Sequence, residues 1–193
     1  MGINKKISLI DGSGFIFRAY YALPPLTSKN GTPIGAVLGF CNMLLKLLEE
    51  KKSDKVVVVF DTAKKTFRND IFKEYKANRG EPPEDLIPQF EIIREAVDAF
   101  NITRVELAGY EADDLIATYA KFFDKKKWNV EIVSSDKDLM QLVNKNIIMR
   151  DPIKNKSIGE EEVFNKFGVY PEKVIDVQSL AGDNVDNIPG APG

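Results

Sequence analysis

Short runs of β-branched residues alternate along this chain with longer stretches whose apolar positions recur every three or four residues. The runs Ile7-Ser-Leu-Ile-Asp11, Val56-Val-Val-Val-Phe-Asp61 and Val130-Glu-Ile-Val-Ser-Ser-Asp136 predict buried strands, each closing on an aspartate. Segments 103–107 and 147–150 predict two further strands. Helical periodicity predicts helices over Phe15–Ala22, over 34–51 (Val37, Leu38, Phe40, Cys41, Leu44, Leu45, Leu48), over 84–100 and over 111–125, with a short one at Leu139–Leu142. Pro82-Pro83 is expected to open the third of these, with Glu84 and Asp85 in its first turn, where the helix dipole favours acids. Leu26–Pro33, rich in turn residues, predicts a loop. Strands alternating with helices at this spacing give an α/β fold with a mainly parallel central sheet and helices on both faces. We expect a core at 1–158 and a helical C-terminal part at 159–193, where Glu160–Phe167 and Pro171–Leu180 precede a glycine-rich end.

Composition narrows the chemistry. The chain has 193 residues, enough for one good core or a domain with a small appendage. No apolar run is long enough to span a membrane, and no secretory signal follows Met-Gly-Ile-Asn-Lys-Lys, so the expected setting is cytoplasmic. There is no histidine, which excludes Ser-His and Cys-His nucleophile pairs and His-ligated zinc. The single cysteine, Cys41, reads as a small core residue. The remaining candidate ligands are carboxylate oxygens, which suit Mg²⁺ or Mn²⁺. A net charge of −2 does not exclude a nucleic-acid partner if the acids are concentrated where cations offset them.

The acids are indeed clustered. Strands of a parallel sheet that end in carboxylates place those charges along one edge, the edge where open α/β sheets bind ligands. Glu111-Ala-Asp113-Asp114, Asp136-Lys-Asp138 and Asp183 with Asp186 stand near other strand or helix ends. Each cluster alone has a local explanation: acids in a first helical turn, a cap, or a turn rich in Gly and Asn. Together they would repel one another unless multivalent cations sat among them. Two ions about 3.5–4 Å apart, able to clamp the attacking and leaving oxygens of a phosphoryl transfer, account for the whole set.

Residues 62–80 differ in kind, with six basic and two acidic side chains. Lys65, Arg68, Phe72, Lys76 and Arg79 are spaced 3, 4, 4 and 3, which predicts one basic helical face, beside an apolar face of Phe67, Ile71 and Tyr75. An amphipathic surface helix with solvated charges is the bland explanation. Its place directly after Asp61 favours a grip on single-stranded nucleic acid, with aromatics interleaved among the bases.

At this point the residues resemble a family. Leu9-Ile-Asp-Gly-Ser13, Val59-Phe-Asp61, Phe67-Arg68, Tyr75-Lys-Ala-Asn-Arg79, Gly109-Tyr-Glu-Ala-Asp-Asp114, Ser134-Ser-Asp-Lys-Asp-Leu139 and Gly182-Asp-Asn-Val-Asp-Asn-Ile-Pro-Gly190 span nearly the entire chain. In order and approximate spacing they resemble the 5′–3′ exonuclease (flap endonuclease) domain at the N-terminus of bacterial DNA polymerase I. The resemblance implies a PIN-like metallonuclease core with a helical arch at about 62–82. It also implies hydrolysis of DNA phosphodiesters at 5′ ends and 5′ flaps, action on RNA-primer strands in primer removal and repair, and tethering to a polymerase in a longer chain. By the same resemblance Asp11, Asp61, Glu111 and Asp113, with Asp114 close by, match ligands of a first Mg²⁺ or Mn²⁺. Asp136, Asp138, Asp183 and Asp186 match the ligands and outer acids of a second. Arg68, Lys76 and Arg79 match basic residues that act on the scissile phosphate; with Lys65 and Tyr75 they form the expected strand-binding arch. Phe17 falls where an aromatic meets a base near the cut, a place that Phe15 or Tyr20 could also fill. The family continues past Gly193 to complete a helix–hairpin–helix-type element that grips duplex phosphates with a K⁺ ion, and here that element is expected to be truncated. The rival expectations are a DNA-binding module with little catalysis, a ribonuclease of related architecture, and, last, an aspartyl phosphatase, which would want an acid where Ser13 stands.

Overall fold

The computed structural model describes residues 5–50, 53–62 and 65–192. Six strands form one sheet: β1 (Lys6–Asp11), β2 (Lys55–Val59), β3 (Thr103–Val105), β4 (Asn129–Val133), β5 (Ile147–Asp151) and β6 (Lys156–Ile158). Their order across the sheet is β3-β2-β1-β4-β5-β6, parallel except for β6, which runs antiparallel to β5. The first five match the expected strands. β6 was not expected, because its Lys-Ser-Ile carries no apolar run and depends on pairing with β5.

Alternate side chains of the strands feed two cores. On one face Ile10, Val58 and Val133 meet Phe15 and Ile16 of α1 (Gly12–Ala22), Phe40 and Leu44 of α2 (Gly35–Glu49), and Ile93 and Val97 of α4 (Ile87–Ala99). On the other, Ile7, Leu9, Val57 and Ile132 meet Leu115, Ile116 and Ala120 of α5 (Ala112–Lys125). Val163 of α6 (Glu160–Phe167) and Val174 of α7 (Val174–Ala181) close that second core. The chain thus winds from β1 outward through β2 to β3 on one face. It then crosses beneath α5 to β4, so the switch in direction falls between β1 and β4. Side chains at such a switch are splayed apart above the carboxyl ends of the strands, which opens a crevice there.

The third predicted helix needs correction. Glu84 and Asp85 lie in turns before α4, which starts at Ile87 with Pro88 in its first turn. Asp85 instead accepts a hydrogen bond from the Tyr20 hydroxyl at 2.8 Å. Cys41 is half-buried rather than sealed in the core, and burial raises its thiol pKa. Among the described residues no helix is long and apolar enough to cross a membrane.

Candidate functional site

The strand ends build the floor of the crevice. Asp11 closes β1 and caps α1: one carboxylate oxygen accepts from the Gly14 N–H at 2.8 Å and the other from Ser134 Oγ at 2.8 Å. Ser134, fully buried at the end of β4, also accepts from the Asp136 N–H at 3.0 Å. One hydroxyl therefore ties the two strands that flank the switch. Asp61 follows β2, where its N–H donates to Ser13 Oγ at 2.8 Å and its Oδ1 accepts from the Ala112 N–H at 2.6 Å. That amide is in the first turn of α5, where the helix dipole favours a negative group. Gly12 permits this closeness, since a Cβ there would stand 2.6 Å from the Phe60 ring and 2.8 Å from Val58.

The first turn of α5 adds Asp113 over the same floor. Burial, and then the charges of Asp136, Asp11 and Asp61, push its carboxyl up to about 8. Burial likewise raises the Asp11 pKa, with Asp61 and Asp136 adding to it, and raises that of Asp138, again with Asp136 contributing. Asp114 points elsewhere. It forms a two-pronged bridge with Arg68 at 2.7 and 2.8 Å and accepts from the Glu111 N–H at 3.0 Å. Burial works to raise the Asp114 pKa, and the Arg68 bridge overrides it and holds the group below the usual carboxylate range.

The basic segment reaches these acids by a route the spacing did not predict. Only Phe67–Ile71 form a helix, α3; at Phe72 the backbone turns extended, with φ −137° and ψ 103°. Lys76 adopts the left-handed region at φ 57°. The single basic face through Lys65, Arg68, Phe72, Lys76 and Arg79 is therefore replaced by a short helix followed by turns. The physical reason is tertiary pairing: the Lys76 N–H donates to the Asp186 carbonyl at 3.0 Å, and Asn187 Nδ2 donates to the Glu74 carbonyl at 2.8 Å. These bonds hold the strap against the C-terminal turn instead of leaving its amides for a helix. Lys65 is exposed, and residues 63–64 lie outside the described part.

Through this strap Lys76 Nζ comes to 2.8 Å from Glu111 Oε2, and Arg79 forms an ion pair with Asp186. Tyr75 is buried beneath them, its hydroxyl 3.0 Å from Glu111 Oε2 and 3.3 Å from Asp186 Oδ2. Burial, then the charges of these two carboxylates, raise its phenol pKa far above the ordinary value. Asp183 and Ile188 exchange reciprocal backbone hydrogen bonds of 2.8 Å that close the final turn. The Lys137 ammonium, 2.9 Å from Asp183 Oδ2, holds that carboxyl below its usual range. Asp138 accepts from Gln178 of α7.

All nine candidate acids line one cleft of about 960 Å³, together with Arg68, Tyr75, Lys76 and Arg79. Of the three aromatic candidates, Phe17 lines it and is 39% exposed, Phe15 is in the core, and Tyr20 turns to Asp85. Among the described residues no three acids are drawn together as a ready metal cage. Lys76, Arg79, Lys137 and backbone amides engage the outer acids instead. The donor chemistry still fits a hard divalent cation, since every candidate donor is oxygen and, beyond burial, the charges of Asp136, Asp11 and Asp61 raise Asp113 against the opposing charge of Lys76. Sequence reasoning missed Ser13, Ser134, Lys137 and Gln178. The two serines and Lys137 stand inside motifs read from the sequence and could have been found; Gln178 depends on long-range packing.

Fold and cleft together define a doubly wound α/β domain with a carboxylate centre at its switch point and a basic strap across it. The chain belongs to the 5'-3' exonuclease family, N-terminal resolvase-like domain, whose model matches residues 6–168. It is 58% identical over 193 residues to DNA polymerase I of Rhizobium leguminosarum, covering 96% of this chain and 19% of that protein. It is 42% identical to a 5'-3' exonuclease of Aquifex aeolicus, covering 98% of this chain and 65% of the relative. The chain therefore spans a fifth to two thirds of the length of these relatives. Its fold matches the T5 D15 protein co-crystallized with metal ions, with a TM-score of 0.81 at 21% identity over 98% of this chain and 71% of that one.

Proposed function

We propose that this chain is a divalent-metal-dependent 5′–3′ exonuclease and 5′-flap endonuclease acting on DNA. The observation that carries the reading is the gathering of Asp11, Asp61, Asp113 and Asp136 in one cleft, where burial and then the charges of the other three push Asp113 up to about 8 beneath a strap of cationic side chains. Family membership and the Aquifex and Rhizobium relatives support it.

Asp11, Asp61, Glu111 and Asp113 would hold one Mg²⁺ or Mn²⁺ ion; Asp136, Asp138, Asp183 and Asp186 would hold or surround a second. Such a pair supplies a hydroxide near neutral pH and neutralises charge on the phosphoryl oxygens, which suits a chain without histidine. The protein's own part is positional. Asp114 is better read as the anchor of Arg68 than as a ligand. Lys76 and Arg79, at the mouth of the cleft, supply the cations that meet a backbone phosphate. Phe17, exposed at the rim, offers a face for the terminal base, whereas buried Tyr75 sets the height of Glu111 and Asp186. The helical part at 159–193 contributes the wall that carries Asp183 and Asp186. In a longer chain it would lead into a K⁺-dependent duplex grip and a polymerase, in the cytoplasm, with RNA-primer strands among the substrates.

A labelled 5′-flap duplex with Mg²⁺, and EDTA as control, tests the proposal. Metal-dependent release of the flap is expected; tight binding with no product under any divalent ion would favour the DNA-binding module instead.

A further inference from the structure

Asp61 is held from three sides, and two of them come from elements the cleft already uses: Ser13 of α1 takes its N–H, and the Ala112 amide of α5 meets its carboxylate. The third is Arg94, on α4, which lines no part of the cleft. Its side chain is only 14% exposed. Nη2 donates to the Asp61 carbonyl at 3.0 Å, Nε to Glu106 Oε2 at 3.0 Å, and Nη1 to the Phe90 carbonyl at 3.1 Å. The guanidinium carbon lies 4.9 Å from the centre of the Phe60 ring, one residue before Asp61. Burying a guanidinium is costly unless each edge is satisfied. Here the planar fork meets the ends of β2 and β3 and a turn of its own helix, a geometry that an ammonium cannot reproduce.

We infer that Arg94 is a positioning residue, fixing the Asp61 peptide and with it the aim of the Asp61 carboxylate into the cleft. The inference rests on the metal-centred reading above. With its N–H held to Ser13 and its carbonyl to Arg94, Asp61 leaves its side chain a narrow range of directions. A residue that orients a ligand from behind typically changes metal affinity by 10- to 100-fold. Glu106 takes part by neutralising the guanidinium, and it is itself shared with Arg104 at 2.8 Å.

The test is Mn²⁺ binding to metal-free protein by calorimetry, without DNA, well below the melting temperature of each variant. Arg94→Ala should weaken the tightest site by about tenfold, Arg94→Lys should recover only part of that, and Glu106→Gln should cost a few-fold. Asp61→Asn should weaken the same site, and adding Arg94→Ala to it should produce little further loss, because both act through one carboxylate. Unchanged Mn²⁺ affinity in Arg94→Ala, with only a lower melting temperature, would overturn the role while leaving the metal reading intact. Should Arg94→Ala not fold, wild-type affinity in Arg94→Lys would overturn it equally. A wild-type chain that binds no Mn²⁺ would overturn both.

Discussion

Lys76 and Tyr75 converge on one oxygen: the ammonium and the phenol hydroxyl lie 2.8 and 3.0 Å from Glu111 Oε2. A residue proposed to meet the phosphate thus rests, without DNA, on an acid proposed to meet the metal. Lys76→Ala should therefore have opposite effects on two measurements. Cleavage of a 5′ flap should fall by about 100-fold or more, since a cation at the reacting phosphate is lost. Mn²⁺ affinity measured without DNA should tighten by a few-fold, because the competing ammonium is gone. Weaker Mn²⁺ binding would show that Lys76 supports Glu111 rather than competing for it.

Asp113 offers a pH test whose sign is fixed. Its carboxyl titrates at about 8 in the folded protein, against 3.8 unfolded. The folded state therefore holds a proton that the unfolded state has released. The stability this contributes is fully present below about pH 4 and is lost as pH rises through about 8. Metal-free protein should melt at a lower temperature at pH 8.5 than at pH 6, and Mg²⁺ should restore much of the difference. Asp113→Asn should raise the melting temperature at pH 8.5 in EDTA while cutting cleavage by more than about 100-fold. Loss of stability in that variant at high pH would contradict the crowding of negative charge.

Tyr75→Phe isolates the buried hydroxyl. The one hydroxyl proton shared between Glu111 and Asp186 is lost while the ring remains, so a cost of about 1–3 kcal/mol is expected in urea unfolding. Flap binding should change less than cleavage, because the ring is buried. A selective loss of DNA affinity with full stability would instead indicate that the ring meets a base.

Salt dependence separates the strap's cations from ordinary surface charge. Lys76→Ala with Arg79→Ala should lower the slope of log affinity against log salt by at most about two. An identical slope would mean that neither side chain leaves its carboxylate for a phosphate.

The sheet and its acids were legible because they rest on local signals. β-branched runs give strands, and Asp11, Asp61 and Asp136 are placed by their positions at strand ends. The path of 62–80 was not legible. Its 3, 4, 4, 3 spacing satisfies a helix, yet the Lys76 N–H and the Glu74 carbonyl are committed to Asp186 and Asn187, more than a hundred residues away. The pairing of Asp114 was not legible for a similar reason. Nothing in Glu111-Ala-Asp113-Asp114 tells which acid turns inward until Arg68 arrives from the strap. Arg94 had no signal at all, since its three acceptors come together only when β2, β3 and α4 are packed.

The hydrogen bonds of the acids carry a last consequence, for how such a domain changes over time. Asp11 caps α1, Asp136 accepts from the Asp138 N–H at 2.9 Å, and Asp183 accepts from the Val185 N–H at 2.8 Å. On the proposed function each carboxylate has two duties, one architectural and one chemical. Asparagine can discharge the first, because its carbonyl oxygen caps a helix or closes a turn as well as a carboxylate does. A single base change in the gene can therefore silence the chemistry and leave the scaffold standing, so descendants that keep the shape and abandon the reaction lie one mutational step away.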